Sequence, residues 1–269
     1  MTNREKFFAE LEKKLAPHYG PPNYSAGNDI DHIRRVIQIA ESARGIDLNH
    51  NRVLDFDSDE LRAAALLHEM DRSKSLGKRV LRSGKKWAKN HLSQGEFLNE
   101  KALRKIGIRQ MVLYYLRGSG FSTEAKTRIV NAVIEHPKFA DDLENDSGVL
   151  IALRIGDKID RMGPLGLISA AAHRGGSASL YDFNHPFGYG STEEGRLKTI
   201  YDDHFRVFEW YAMLPCNAAR RLAKPRFLIR IFFMRELAKE IASASGVKNR
   251  VEEDLRKALG MYYEEFCSE

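Results

Sequence analysis

Cysteine is almost missing: Cys216 and Cys267 are the only two in 269 residues. One disulfide could not staple a fold of this length, so a reducing compartment is expected. Long apolar runs are missing too. The greasiest stretch, Phe227 to Met234, is short and holds Arg230 in its middle, and a mean hydropathy of -0.45 excludes a membrane bundle. At the N-terminus Phe7, Phe8, Leu11 and Leu15 recur at helical spacing instead of forming the unbroken run of a signal peptide. A cytoplasmic protein with no membrane partner is expected. Low-complexity tracts and internal repeats are absent, as are alternating, β-branched runs of strand length, which leaves an all-α fold.

What is present agrees with helices. His32, Val36, Ile39, Ala40 and Ala43 follow the 3.6-residue period, as do Leu61, Ala64, Ala65 and His68, and again Ile129, Val133 and Ile134. Pro21-Pro22, Gly118-Ser119-Gly120 and Gly163-Pro164 punctuate them. Residues 181 to 195 are too rich in glycine and proline for helix and are expected as a loop.

Five placements carry potential chemistry: His32 at the start of a helix, His68-Glu69 at the end of one, His91 opening another, His136 closing another before Pro137, and Asp157. They lie too far apart for a local metal motif, so only the fold could unite them. Imidazole and carboxylate together suit a borderline or hard divalent ion, and the lack of thiolates argues against structural zinc. A histidine at a helix end can equally well serve the dipole or a backbone carbonyl.

The net charge of +6 has a location. Arg72, Lys74, Lys78, Arg79, Arg82, Lys85, Lys86 and Lys89 follow one another with no acid among them, and without them the balance would be -2. Lying between His68-Glu69 and His91, this segment is expected as a cationic loop reaching the phosphates of a small ligand, with Arg79, Lys85 and Lys86 as contacts. Lys158, beside Asp157, and Arg161 are expected to neutralise phosphoryl oxygens. A second basic group, Arg220 to Arg235, alternates with Leu222, Phe227, Ile231 and Phe232 as an ordinary amphipathic helix would.

Asn28 to Val36, Ala63 to Met70 (Ala-Ala-Ala-Leu-Leu-His-Glu-Met) and Ile155 to Leu167 resemble the three signature segments of the HD-domain metal-dependent phosphohydrolases: a helical His, a His-Asp pair and a distal Asp. The stretches around His173 to Gly176, the loop to Gly195, Thr199 to Phe205 and Ala219 to Ala223 are similar to the YedJ-like bacterial branch, so the resemblance spans roughly residues 28 to 240. It implies an HD-domain helical bundle with a C-terminal helical extension. The divisions are 1–27 as a lead-in helix, 28–176 as the metal-binding core, and 177–269 as a loop and helices packed on it as one domain. The metal ligands map onto His32, His68, Glu69 and Asp157, with His91 and His136 where an expanded site adds two histidines; Asp160 maps as a supporting residue. The implied cofactor is one or two divalent ions (Mn, Mg, Fe or similar), with Glu69, Asp157 and Lys158 catalytic.

The chain departs from the pattern at Glu69, where the family has Asp; the extra methylene moves the oxygens by about one carbon-carbon bond, a displacement that can cost ~100-fold in rate. Asp71 could substitute for it. The resemblance implies a phosphohydrolase of nucleotides, foremost a nucleoside or deoxynucleoside triphosphate. A weakened relative that binds nucleotide or RNA, and a phosphodiesterase of cyclic dinucleotides or oligonucleotide ends, are the alternatives. A small phosphate-bearing partner is preferred to nucleic acid.

Overall fold

The computed structural model describes residues 2–19, 29–48, 52–93, 97–138, 142–174, 178–190 and 198–267, with the side chains of 173 and 174 left aside. Among them lie twelve α-helices: α1 Asn3–Leu15, α2 Ile30–Ser42, α3 Ser58–Leu67, α4 Lys74–His91, α5 Glu100–Tyr115, α6 Thr123–Glu135, α7 Gly148–Asp160, α8 Pro164–Arg174, α9 Ile200–Ala212, α10 Asn217–Ser245, α11 Val251–Leu259 and α12 Tyr263–Cys267. The one extended pairing among the described residues is an isolated bridge between Asp47 and Val53. The fold is all-α.

Helices begin where the sequence offers a short polar side chain to the first free N–H groups. Asp29 accepts from the His32 amide, Asp57 from Glu60, Asn99 from Ala102 and Ser122 from Ala125, while Thr2 and Thr199 complete reciprocal capping boxes. Ser73 does the same for Leu76, so the basic segment expected as a loop is the eighteen-residue helix α4. Its local signal was overlooked: Leu76, Val80 and the glycines between the cations form a continuous buried stripe.

The backbone divides into two compact units, residues 1–156 and 157–269, and the division falls inside α7. In the first unit α3 is central. Glu60, Leu61 and every residue from Ala63 to Leu67 are buried, as expected for a helix covered on all sides by α1, α2 and α6. Glu60 is stabilised there by the Arg128 fork, with N–O distances of 2.5 and 2.8 Å. Glycines set the closest approaches. A Cβ on Gly156 would lie 2.5 Å from the Val36 carbonyl and 3.2 Å from the Ala40 Cβ, so α7 rides against the backbone of α2. On α4 and α5, Gly84 and Gly107 interlock; a Cβ on either would stand 1.9 Å from a carbonyl of the other helix. Arg154 is buried and joins α7 to the end of α6, through Asp146 at 2.6 Å and the Glu135 carbonyl at 2.9 Å.

In the second unit Tyr201, Phe205, Phe208, Tyr211, Phe227 and Phe266 form a ring-on-ring core. Asp254 is buried beneath the 186–190 segment, accepting from the amides of Gly188 and Tyr189 and from the Tyr201 hydroxyl. Arg230 departs from expectation. It lies in the basic group read as the polar side of an ordinary amphipathic helix, yet it is 0% exposed. Its guanidinium donates to the carbonyls of Arg161 and Met162, which follow the last turn of α7, and to His204 Nδ1. Free carbonyls at a helix C-terminus attract a cation, which explains why α7 draws in this one. Burial lowers the Arg230 pKa to about 9, leaving it charged at neutral pH.

Two predictions follow from these contacts. Gly156→Ala forces α2 and α7 apart and should cost about 1–3 kcal/mol in a denaturant unfolding measurement; an unchanged midpoint would refute the backbone contact. Burial and then the charge of Arg230 lower the His204 pKa to about 4. Between about pH 6.5 and 4 the unfolded chain therefore binds the extra proton. Stability should fall by up to ~3 kcal/mol as pH drops through that window and should not depend on His204 above it. His204→Phe should flatten this acid limb in thermal melts.

Candidate metal centre

Two of the histidines share a local device. His68 caps the C-terminus of α3 and His136 that of α6. In each, Nδ1 lies against the carbonyl three residues earlier, Ala65 at 2.6 Å and Val133 at 2.8 Å. A carbonyl accepts only, so each Nδ1 carries the proton. In the neutral ring Nε2 then keeps its lone pair, the tautomer required of a ligand. His32 reaches the same place from the first turn of α2, held by the Asp29 cap.

The Glu69 carboxylate is where they converge. Its Oε1 lies 3.8 Å from His32 Nε2 and 3.5 Å from His68 Nε2, with all three residues buried. Asp157, on the α7 turn that follows Gly156, completes the set: His32, His68, Glu69 and Asp157 each offer one donor atom, and these atoms all lie within 4.8 Å of one another. Four ligands at ~2.0–2.2 Å from one tetrahedral ion lie about 3.4 Å apart, close to the 3.5 and 3.8 Å that separate Glu69 Oε1 from the two imidazoles. Two imidazoles and two carboxylates fit a divalent ion of the Mn, Fe, Mg or Zn kind. The glutamate itself is a member of the set. Asp71, the substitute considered from sequence, is engaged by Arg104 at 2.7 Å.

His136 stands beside this set, its ring edge-to-face with His68 at 5.1 Å. His91 does not. It ends α4 instead of opening a helix, is exposed, stacks on Trp87 at 4.6 Å and has Nδ1 against the Trp87 carbonyl. At 1.5 Å per residue α4 is about 27 Å long, which carries its far end away from the turn at Glu69.

Each carboxylate of the set has an arginine. Arg72, one turn after Glu69 and 51% exposed, reaches its Oε1 at 3.2 Å, and Arg161 Nε is 3.7 Å from Asp157 Oδ1. Arg161 was expected from sequence; Arg72 was noticed only as part of the basic run. Lys158 is buried and donates to the Met213 carbonyl at 2.9 Å. Arg79, Lys85 and Lys86 are exposed on α4, with Arg79 near enough to Tyr115 for its charge to act on the phenol. Asp160 is buried. Sequence reasoning also missed Tyr19, which donates to the Leu66 carbonyl at 2.7 Å; burial and the charge of Glu69 hold its pKa well above the phenol range, so it remains neutral beside the set.

The chain matches no protein-family model and no curated protein. Its backbone does match solved structures. A Lactobacillus plantarum protein superposes with a TM-score of 0.58 at 16% identity, covering 90% of this chain and 99% of that one. An HD-superfamily hydrolase from Bacillus thuringiensis gives 0.54 at 17%, covering 89% and 98%. The chain has the HD-domain fold. YpgQ from Bacillus subtilis, in complex with ADP, gives 0.51 at 17% identity over 89% and 97%. In this HD-domain chain no described helix is long and apolar enough to cross a membrane.

The donor set predicts stoichiometric Mn2+ binding by titration calorimetry. His68→Ala or Asp157→Ala should weaken it by more than the ~10–100-fold typical of losing a supporting partner. Unchanged affinity in both variants would remove the assignment.

Proposed function

We propose that this chain is a metal-dependent phosphohydrolase acting on a nucleotide, foremost a nucleoside or deoxynucleoside triphosphate. The observation that carries this reading is the convergence of His32, His68, Glu69 and Asp157 with an arginine beside each carboxylate. The ADP complex of YpgQ, a protein of the same fold, supports a nucleotide as the substrate class.

His32, His68, Glu69 and Asp157 would hold the ion, and His136 would be available to a second one. When bound, a divalent cation supplies positive charge against phosphoryl oxygens and makes water more acidic. The chain's own residues do the rest. Glu69 and Asp157 offset the ion's charge and fix its place. The Nδ1 bonds of His68 and His136 keep their lone pairs on Nε2 through the cycle. Arg72 and Arg161 present fixed donors to the phosphoryl oxygens, stabilising the charge that builds as water adds to phosphorus and the bond to the leaving oxygen breaks. Arg72 is the sharper assignment, because its guanidinium is half-exposed at Glu69.

A panel of nucleoside di- and triphosphates assayed with Mn2+, Mg2+ and Fe2+ tests the reading. Release of phosphate or pyrophosphate is expected, abolished in His68→Ala and Asp157→Ala. Glu69→Asp should lower turnover by ~10–100-fold if the glutamate is the working ligand, and Arg72→Ala should raise KM more than it lowers kcat. No hydrolysis of any nucleotide with any of the ions would refute it.

A further inference from the structure

Helix α4 is too long for the role its charges suggest. From Arg72 to Arg117 the chain carries thirteen Lys and Arg against Glu96 and Glu100, so the rest of the protein is net negative. Only the first turn of α4 adjoins the metal centre, where the Ser73 amide bonds the Glu69 carbonyl. At ~100° and 1.5 Å per residue, Lys74, Lys78, Arg82, Lys85, Lys86 and Lys89 fall within about 120° of one another and form a stripe roughly 22 Å long. All six are exposed. A nucleotide held at Glu69 cannot meet most of them.

Solubility alone does not account for this stripe. Several exposed cations elsewhere in the protein have a carboxylate three or four residues away, Lys14 with Glu10, Arg34 with Asp31, Lys239 with Glu236 and Arg250 with Glu253. Among the described residues, the six on α4 have no carboxylate within ion-pairing distance, and α4 itself contains no acid. Like charges at i,i+4 destabilise a helix, so this arrangement carries a standing cost that a polyanion would relieve. Past the end of the stripe, Phe97 is 93% exposed beside a cleft of about 260 Å3 lined by Lys85, Lys89, Leu92 and Leu103. An open aromatic face flanked by two lysines is the pairing that holds a base and its phosphates.

We propose that the cationic face of α4, together with the Phe97 cleft, binds single-stranded nucleic acid. Lys and Arg track the backbone, and Phe97 stacks a base. A membrane surface fits less well: an interfacial helix buries an apolar face in lipid, whereas the apolar face of α4 is spent on α5 through Leu76, Val80 and Gly84. The proposal does not depend on the hydrolase reading.

The test is fluorescence anisotropy with a labelled 20-nucleotide single-stranded RNA, alongside sedimentation with vesicles containing 30% phosphatidylserine. Binding should weaken with salt along a log-log slope near -4, about -0.7 for each of six contacts. Removing three charges in Lys78→Gln/Arg82→Gln/Lys89→Gln should lower affinity at least tenfold and flatten the slope, with helicity and nucleotide hydrolysis unchanged. Phe97→Ala should cost about tenfold. Removing four exposed charges elsewhere, in Arg206→Gln/Arg221→Gln/Lys239→Gln/Lys248→Gln, should leave binding intact. The proposal is overturned if RNA does not bind at low salt, if the control variant loses as much as the α4 variant, or if the α4 variant loses vesicle binding while RNA binding stays the same.

Discussion

Helices α2 and α7 meet backbone to backbone at Gly156, and the candidate metal centre depends on that contact. His32 stands one turn before Val36 on α2, and Asp157 follows Gly156 on α7; the Gly156–Val36 contact therefore sets how closely imidazole and carboxylate approach. No larger residue is compatible with that separation. Arg154, one turn earlier on α7, ties the same helix to the Glu135 carbonyl beside His136. A helix with its contacts this close to other backbones has few ways to shift, and coordination geometry tolerates few shifts.

The helix ends show why a histidine at a C-cap is ambiguous from sequence alone. Capping a carbonyl and binding a metal look like rival explanations, but an imidazole has two nitrogens. At His68 and His136 the cap uses Nδ1 and thereby determines what Nε2 can do. Fold stability and ligand chemistry are served by one hydrogen bond. His91 makes the same kind of bond at the end of α4, yet its ring stacks on Trp87, so the device alone does not place a histidine in a site.

Much of this was legible in the chain. Periodicity and short polar caps locate the helices, and His32, His68, Glu69 and Asp157 were recoverable from the motif resemblance because each sits at a fixed place on its helix. The unit division inside α7 was not, since a boundary that cuts a regular helix leaves no mark in composition. Charge misled where tertiary partners decide its fate. Arg230 reads as one cation among many on α10, and only the exposed carbonyls after α7 explain its burial. Lys158 adjoins Asp157 in sequence, and its ammonium donates to the Met213 carbonyl, a partner that sequence does not show. The eight cations from Arg72 to Lys89 suggested a loop because their repulsion hid the apolar stripe beneath them.

That stripe has a consequence for how the protein assembles. With glycines at 77 and 84 and no acid to offset its lysines, α4 has little tendency to be helical alone. Its conformation is lent by α5 through the interlocked backbones at Gly84 and Gly107. The two helices must therefore form together, and their pairing should be among the first parts of the native state to open when ionic strength is lowered, since thinner screening strengthens the repulsion while leaving the apolar contact unchanged.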